Sequence, residues 1–209
     1  MFESAQLMSF VAAVAVLVIV PGPNTFLILT HSLSGGRAAG LATVLGVETG
    51  TLVHTTAAAF GLSAILSTSA LAFLVVKYVG AAYLVYLGLQ ALRSGTRGLA
   101  ASPSPVPITT SRAYGRAVLT NVLNPKVAMF FLAFLPPFIH PERGRIALQV
   151  FVLGLVVSMV GLVFGVILAT MAGSLAAWLS RSAIARWLQR VTGCLLLGLG
   201  VRLAFVHRE

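Results

Sequence analysis

Six apolar runs, each long enough to cross a bilayer as a helix, constrain this chain more than any other feature. A spanning helix needs about 20 predominantly apolar residues. The approximate bounds of the six runs are 5–29, 40–66, 69–92, 115–138, 146–172 and 185–206. The chain is 58% hydrophobic and only 9% charged, whereas soluble domains carry roughly 25% charged residues. The sequence therefore predicts an all-α membrane protein with six transmembrane helices.

Two of these runs contain residues that interrupt a helix. The first contains Pro21–Asn24, and the fourth contains Asn121–Lys126, which includes Pro125. Proline lacks a backbone donor, and its ring clashes with the preceding turn, so helices one and four are predicted to be broken. Irregular backbone at membrane depth is tolerated only where it is buried in protein or lines a water-filled cavity. Each break therefore indicates a site.

The chain divides into two similar halves. Residues 101–112 are proline-rich and predict a cytoplasmic linker between a first three-helix repeat (1–100) and a second (113–209). Pro23 in the first run has a counterpart in Pro125 in the fourth. A three-helix unit followed by its copy is inverted, because three is odd. Inverted repeats with a broken helix in each half are typical of secondary transporters.

Charge predicts the orientation of the helices. The net charge is +10, but the basic residues lie in short gaps between apolar runs, where they set membrane topology rather than bind nucleic acid. Eight arginines lie near one set of loops, and only Arg143, Arg145 and Arg208 lie near the other. Loops 30–39, 93–114 and 173–184 are therefore expected to be cytoplasmic and both termini periplasmic. The N-terminus lacks the positive region of a signal peptide, so the first run is expected to be a retained span.

Glu48 is the only acidic residue inside any of the six runs. A charge at the bilayer centre costs about 2.5–3.5 kcal/mol on insertion scales, so such residues are usually functional. Counted from Gly40 at 1.5 Å per residue, Glu48 lies about 12 Å deep. It is predicted to exchange the coupling proton, with a structural ion pair to Lys126 or Arg37 as the alternative. Thr51, three residues on, shares its helix face and extends a polar path.

The same depth count places both breaks in the cytoplasmic half, within reach of Glu48. Freed backbone groups, amide side chains, a carboxylate and the Lys126 ammonium would converge there, which suits an amino acid as substrate. For Lys126 the alternative is a side chain that extends to the membrane surface. The residues predicted to bind substrate are Pro21, Gly22, Pro23, Asn24, Thr51, Asn121, Asn124, Pro125 and Lys126.

Several other functions lack a signal in this sequence. The four histidines and one cysteine do not have metal-ligand spacing, and no nucleotide-binding loop follows a strand. No nucleophile–base pair for catalysis is evident, so we expect neither an enzyme nor a cofactor. Gly46, Gly50 and His54 follow one another at steps of four, a pattern typical of close helix packing. That face leaves internal packing and a homo-oligomer both open.

The motifs together resemble one family. Pro21–Asn24 in the first run, Gly46-x-x-x-Gly50 in the second, Gly80–Leu84 in the third and Asn124–Lys126 in the fourth are similar to those of the LysE/RhtB family of amino-acid exporters, over nearly the whole chain. The resemblance implies a bacterial inner-membrane exporter of amino acids, driven by the proton gradient. It favours neutral substrates such as homoserine, threonine or leucine. A lysine or arginine exporter and a passive channel are the alternatives.

Overall fold

The computed structural model describes residues 2–19, 21–68, 70–93 and 107–173, together with scattered positions between 187 and 205. Within these residues the regular structure is helical and no strand occurs. The α-helices are α1 (Ser4–Ile19), α2 (Pro23–Thr68), α3 (Ala70–Arg93), α4 (Thr110–Val122), α5 (Pro125–Met129) and α6 (Ile146–Thr170). A π-helical turn at Phe130–Phe134 and 3-10 turns at Pro136–Phe138 and Pro141–Arg143 lead from α5 to α6.

The helix α2 is a hairpin rather than a straight rod. Gly36 inside it has φ 72° and ψ −176°, a conformation that glycine adopts without steric cost. His31 Nδ1 lies 2.8 Å from Thr43 Oγ1, although straight helix would separate these residues by about 18 Å. The chain therefore reverses at Gly36. We call residues 23–35 arm 2a and residues 37–68 arm 2b; the reversal lies within the loop predicted at 30–39.

Both predicted helix breaks are confirmed. The chain bends by 55° between α1 and α2 and by 46° between α4 and α5. Pro23 and Pro125 are each the first residue of the helix that follows the break. A missing backbone donor costs nothing at that position, and the fixed φ of proline suits the start of a helix.

The described helices account for part of the predicted membrane topology. By length and composition, α6 could cross a bilayer unbroken, and the two bent pairs, Ser4–Ile19 with Pro23–Gly61 and Thr110–Val122 with Pro125–Phe138, bring the candidate spans to as many as three. The first pair includes the α2 hairpin and so covers most of the first two predicted runs. Half of the sixth run lies outside the described residues. The six-span count and the inverted repeat stay predictions.

The predicted linker begins outside the described residues, which resume at position 107. Its last residues are already helical, because α4 begins at Thr110. The division into halves at 1–100 and 113–209 therefore stays a prediction.

Small residues allow arm 2b to pack closely between α4 and α6. A Cβ added at Gly50 would lie 2.7 Å from that of Asn121 on α4, and one at Gly165 would lie 2.9 Å from a methyl carbon of Val44 on arm 2b. Gly46 likewise packs against α4. Glycine at such contacts lets helix backbones approach one another. The small-residue face predicted from the sequence is thus used in internal packing.

An aromatic cluster fills the region beyond α5. The Phe10 ring on α1 contacts the rings of Phe130, Phe134 and Phe138, with centroids 6.4, 6.2 and 4.9 Å away. All four residues are buried. Elsewhere large apolar side chains are exposed; that of Phe60, for example, is 74% exposed. Such exposure is unfavourable in water but is expected where the protein surface contacts lipid.

Candidate functional site

The first break leaves the end of α1 in need of hydrogen-bond donors. The last carbonyl groups of any helix lack partners within it. Lys126 Nζ donates to the backbone oxygen of Leu17, in the last turn of α1, at 2.9 Å. A cation at this end also interacts favourably with the helix dipole. The Lys126 side chain is therefore directed into the protein, against the alternative in which it extends to the membrane surface.

The second break is capped by its own side chain. Asn124 is the N-cap of α5, and its Oδ1 accepts a hydrogen bond from the backbone nitrogen of Lys126 at 3.0 Å. Asparagine is among the preferred residues at this position. The cap fixes the start of α5 and hence the direction from which Lys126 reaches Leu17.

The three asparagines of the chain lie together and join the two breaks. Asn24 Nδ2 donates to Asn121 Oδ1 at 2.9 Å, and Asn124 Nδ2 lies 3.5 Å from Asn24 Oδ1. Asn121 Nδ2 donates to the backbone oxygen of Val47 at 2.6 Å and to Thr51 Oγ1 at 3.0 Å. Arm 2a, arm 2b and α4 are thus connected through one fully buried side chain, that of Asn121.

His54 belongs to this interior network. Its Nε2 donates to the backbone oxygen of Asn121 at 3.0 Å, and its ring stacks on Phe131 with centroids 5.9 Å apart. This agrees with the sequence-based expectation that His54 packs on a small-residue face rather than beside Glu48. Among the described residues, no group of three or more His, Cys, Asp or Glu side chains could hold a metal ion.

Glu48 lies on arm 2b where it faces α6, and it is 8% exposed. Its Oε2 accepts a hydrogen bond from Ser158 Oγ at 2.5 Å. Gly161 leaves the space that Oε1 occupies, since a Cβ there would lie 2.6 Å from that oxygen. Its predicted roles, exchange of the coupling proton or a structural ion pair with Lys126 or Arg37, stay predictions.

Both breaks and Glu48 line one cavity of about 90 Å³. One bound water needs at least about 10–15 Å³ on this scale, so several waters or a small solute can enter. Of the predicted site residues, the cavity is lined by Gly22, Asn24, Glu48, Thr51, Asn124 and Lys126. The rest of the wall is mainly apolar, from Leu17 and Val18 to Phe130 and Phe164.

Four predicted site residues do not line this cavity: Pro21, Pro23, Asn121 and Pro125. The prolines shape the two breaks. Asn121 lies behind the wall with its side-chain amide already hydrogen-bonded. Their contribution to the site is to position the residues that do face the cavity.

Sequence reasoning placed no residue of α6 in the site, yet α6 contributes Ser158 and Gly161. Ser158 lies in the apolar middle of α6, and Gly161 follows three residues later, on the same helix face. The available signal was a hydroxyl in the apolar middle of the helix with a glycine one turn later, because the two together mark a face suited to a buried polar partner.

The chain is similar to known proteins over most of its length. The family model for LysE type translocators matches residues 15–206. The homoserine/homoserine lactone efflux protein of Salmonella typhimurium is 32% identical over 188 residues, which is 88% of each chain. The uncharacterized membrane protein YrhP of Bacillus subtilis is 29% identical over 94% of this chain and 97% of its own length. No solved structure matches the chain.

Proposed function

The chain belongs to the LysE type translocator family, and we propose that it is a secondary transporter that exports amino acids or close derivatives across the bacterial inner membrane. Membership of this family indicates a multi-pass membrane transporter rather than an enzyme. The proposed cargo is a zwitterion, and the observation that carries this proposal is the cavity between the two helix breaks.

The cavity offers groups for both ends of an amino acid. The Lys126 ammonium and the amide groups of Asn24 and Asn124 can donate to a carboxylate, while the Glu48 carboxylate can accept from an ammonium group. In a low-dielectric wall such charge-assisted hydrogen bonds are about twice as strong as neutral ones. An α-amino acid carries both charges on one carbon, so a cavity this small can contact both.

The apolar part of the wall supports a neutral side chain. The side chains of Val47, Val127 and Val157 line the cavity, and an unpaired cationic side chain against them would lose its hydration without compensation. The relative named as a homoserine/homoserine lactone efflux protein agrees with a small neutral cargo. Homoserine, threonine and leucine are the proposed substrates, ahead of lysine and arginine.

Glu48 is proposed to carry the coupling proton. It is the one acidic residue within the apolar runs, it lines the same cavity as the substrate groups, and Ser158 can donate to its charged form. Proton loss from Glu48 and substrate binding would then affect one another directly. A passive channel on the same helices remains the second class, and the cavity alone does not favour it.

We further propose that the cavity lies in the cytoplasmic half of the membrane, with both termini periplasmic. Arg37 next to the Gly36 turn, with Arg112 and Arg116 at the start of α4, support this orientation through the positive-inside rule. Cargo would reach the site from the cytoplasm first.

Inside-out vesicles that contain the full chain test this function. Labelled homoserine, threonine, leucine and lysine are supplied outside, and an inward-acidic pH gradient is imposed. We expect homoserine, threonine or leucine to accumulate above equilibrium, and lysine not to. Accumulation that never exceeds electrochemical equilibrium and ignores the pH gradient would instead assign a passive channel. Vesicles of the same lipid composition without the protein measure the background uptake of each amino acid.

A further inference from the structure

A second cavity lies on the outer surface between α1 and α6. It measures about 360 Å³ and is lined by apolar side chains alone. Val18 and Ile19 line it from α1, and Met159, Val163, Phe164 and Ile167 line it from α6. We call it the apolar groove. Met159 and Val163 are 61% and 59% exposed, so the groove opens away from the protein interior.

The apolar groove and the polar cavity share a wall. Val18 and Phe164 line both of them. The polar cavity holds the groups that would bind a zwitterion, and the far side of this wall is a larger, wholly apolar space. A substrate whose charged end lies beside Glu48 would therefore have the groove within reach of its side chain, once Val18 and Phe164 rotate apart.

We propose that the apolar groove binds the hydrocarbon side chain of the transported amino acid, so that amino acids with long apolar side chains are preferred substrates. This inference rests on the proposed export of amino acids. The polar cavity has about 90 Å³ and the groove about 360 Å³, so a short side chain fits beside the charged groups but a longer one needs the groove. The polar cavity would contact the ammonium and carboxylate groups of such an amino acid, and the apolar groove would contact its hydrocarbon side chain.

The gain expected from the groove follows from the hydrophobic effect. Each buried methylene stabilises binding by about 0.8 kcal/mol, or roughly fourfold in affinity. Norvaline, norleucine and α-aminooctanoic acid form a series of increasing side-chain length, and homoserine begins it as the polar counterpart of norvaline, with a hydroxyl in place of the terminal methyl group. The apparent affinity of the wild-type protein should rise along this series until the groove is filled.

A tryptophan in the groove tests the inference. Val163→Trp fills the groove from a position that does not line the polar cavity. Inhibition of homoserine export by each member of the series is measured in vesicles. We expect the variant to lose about tenfold in affinity for α-aminooctanoic acid, since the methylenes lose their site, while homoserine transport changes by less than about twofold. Phe164→Ala should act in the opposite direction and favour the longer side chains.

Val166→Trp is the matched control, because it makes the same substitution on an exposed position of α6 outside the groove. It should leave the order of preference unchanged. If Val163→Trp lowers the affinity for every member equally or for none, the groove does not bind the side chain and is filled by lipid. If Val163→Trp changes the oligomeric state in cross-linking, a second copy of the chain covers the groove, and the inference is wrong.

These outcomes are distinct from failure of the proposed function. Export of homoserine with no dependence on side-chain length overturns only the role of the groove. A wild-type protein that exports no member of the series overturns both proposals.

Discussion

Lys126 Nζ on α5 donates to the backbone oxygen of Leu17 on α1 at 2.9 Å, so a side chain from the second helix break completes the helix that ends at the first. Asn24, just after the first break, donates in turn to Asn121, just before the second. Residues at each break thus form hydrogen bonds with polar groups at the other break. In a bilayer core, where water cannot do so, neither break is expected to be stable without the other.

Replacing Lys126 by methionine should therefore damage both stability and transport. The Leu17 carbonyl would lose its donor, which costs about 1–3 kcal/mol in the free energy of unfolding. The substrate carboxylate would lose its ammonium partner, and we expect export to fall at least about tenfold, the loss typical of one charged hydrogen bond. Thermal unfolding in detergent and vesicle export measure the two effects. As a control, Arg112→Met, at an exposed position on α4, should change neither stability nor export. Normal export by the Lys126 variant would show that the Lys126 ammonium does not bind the substrate.

Glu48→Gln should separate substrate movement from proton movement. Glutamine has nearly the same shape and keeps an oxygen that can accept from Ser158, but it cannot release a proton. We expect accumulation driven by a pH gradient to be lost, while exchange of labelled for unlabelled substrate continues. Glu142→Gln makes the same change at an exposed position in the loop before α6 and should retain both activities. Undiminished gradient-driven export by the Glu48 variant would exclude this carboxylate from coupling.

Asn121→Asp should destabilise the protein strongly although it hardly changes the volume of the side chain. The carboxylate cannot donate to the Val47 carbonyl 2.6 Å away or to Thr51, and it places a charge beside that carbonyl. We expect the free energy of unfolding to fall by about 2–4 kcal/mol, more than for an unmet neutral hydrogen bond. Gln90→Glu makes a similar amide-to-acid change at an exposed position in the last turn of α3, near Arg93, and should cost no more than about 1 kcal/mol, as expected near the membrane surface. Equal unfolding temperatures for the two variants would contradict the role assigned to Asn121.

Gly161→Ala should act on Glu48 through a single methyl group. The new carbon would lie 2.6 Å from Glu48 Oε1, the end of a flexible side chain, so the carboxylate must shift, at a small cost in stability. Gradient-driven export should fall because the coupling group is displaced. Gly115→Ala, where a Cβ meets nothing within 4 Å, should be neutral or slightly stabilising, since alanine is the better helix former. Unaltered export by Gly161→Ala would mean that the position of the carboxylate is not critical.

The loop before α6 should respond to acid. A hydrogen bond within Glu142 itself and then the neighbouring His140 and Arg143 hold the pKa of Glu142 below its ordinary value of 4.5. Because the folded pKa is the lower one, this contribution to stability is present above pH 4.5 and is lost as the pH falls through the folded value. Unfolding temperatures measured from neutral to acidic pH should therefore fall slightly less for Glu142→Gln than for the wild type. Identical pH profiles would show that the interaction contributes nothing.

Local chemistry made part of this site predictable from sequence. Pro23 and Pro125 interrupt a helix wherever they occur, so the amino-acid sequence alone was enough to locate both breaks. The constant rise of a helix placed Glu48 level with both breaks, and all three line one cavity. Both inferences use only properties of residues within one run, and such properties do not depend on the rest of the fold.

Contacts between runs could not be predicted in the same way. The helix α6 is apolar on nearly every side, so its periodicity did not indicate that Ser158 faces Glu48. Asn121 was grouped with the substrate-binding residues because it lies beside the second break, but its amide faces Val47 and Thr51 behind the cavity wall. Which polar side chain meets substrate, and which meets protein, depends on the rotation of each helix against its neighbours.

The hairpin in α2 fixes the order in which the site can assemble. Arms 2a and 2b are adjacent in sequence, so contacts such as that of His31 with Thr43 close a short loop at little entropic cost and form early. Chains are synthesised from the N-terminus, and Asn121 is made 97 residues after Asn24. Asn24 and Glu48 are therefore expected to lie close together in the bilayer before the rest of the site has been synthesised. At that stage the amide of Asn24 has no contact with Asn121, because Asn121 has not yet left the ribosome.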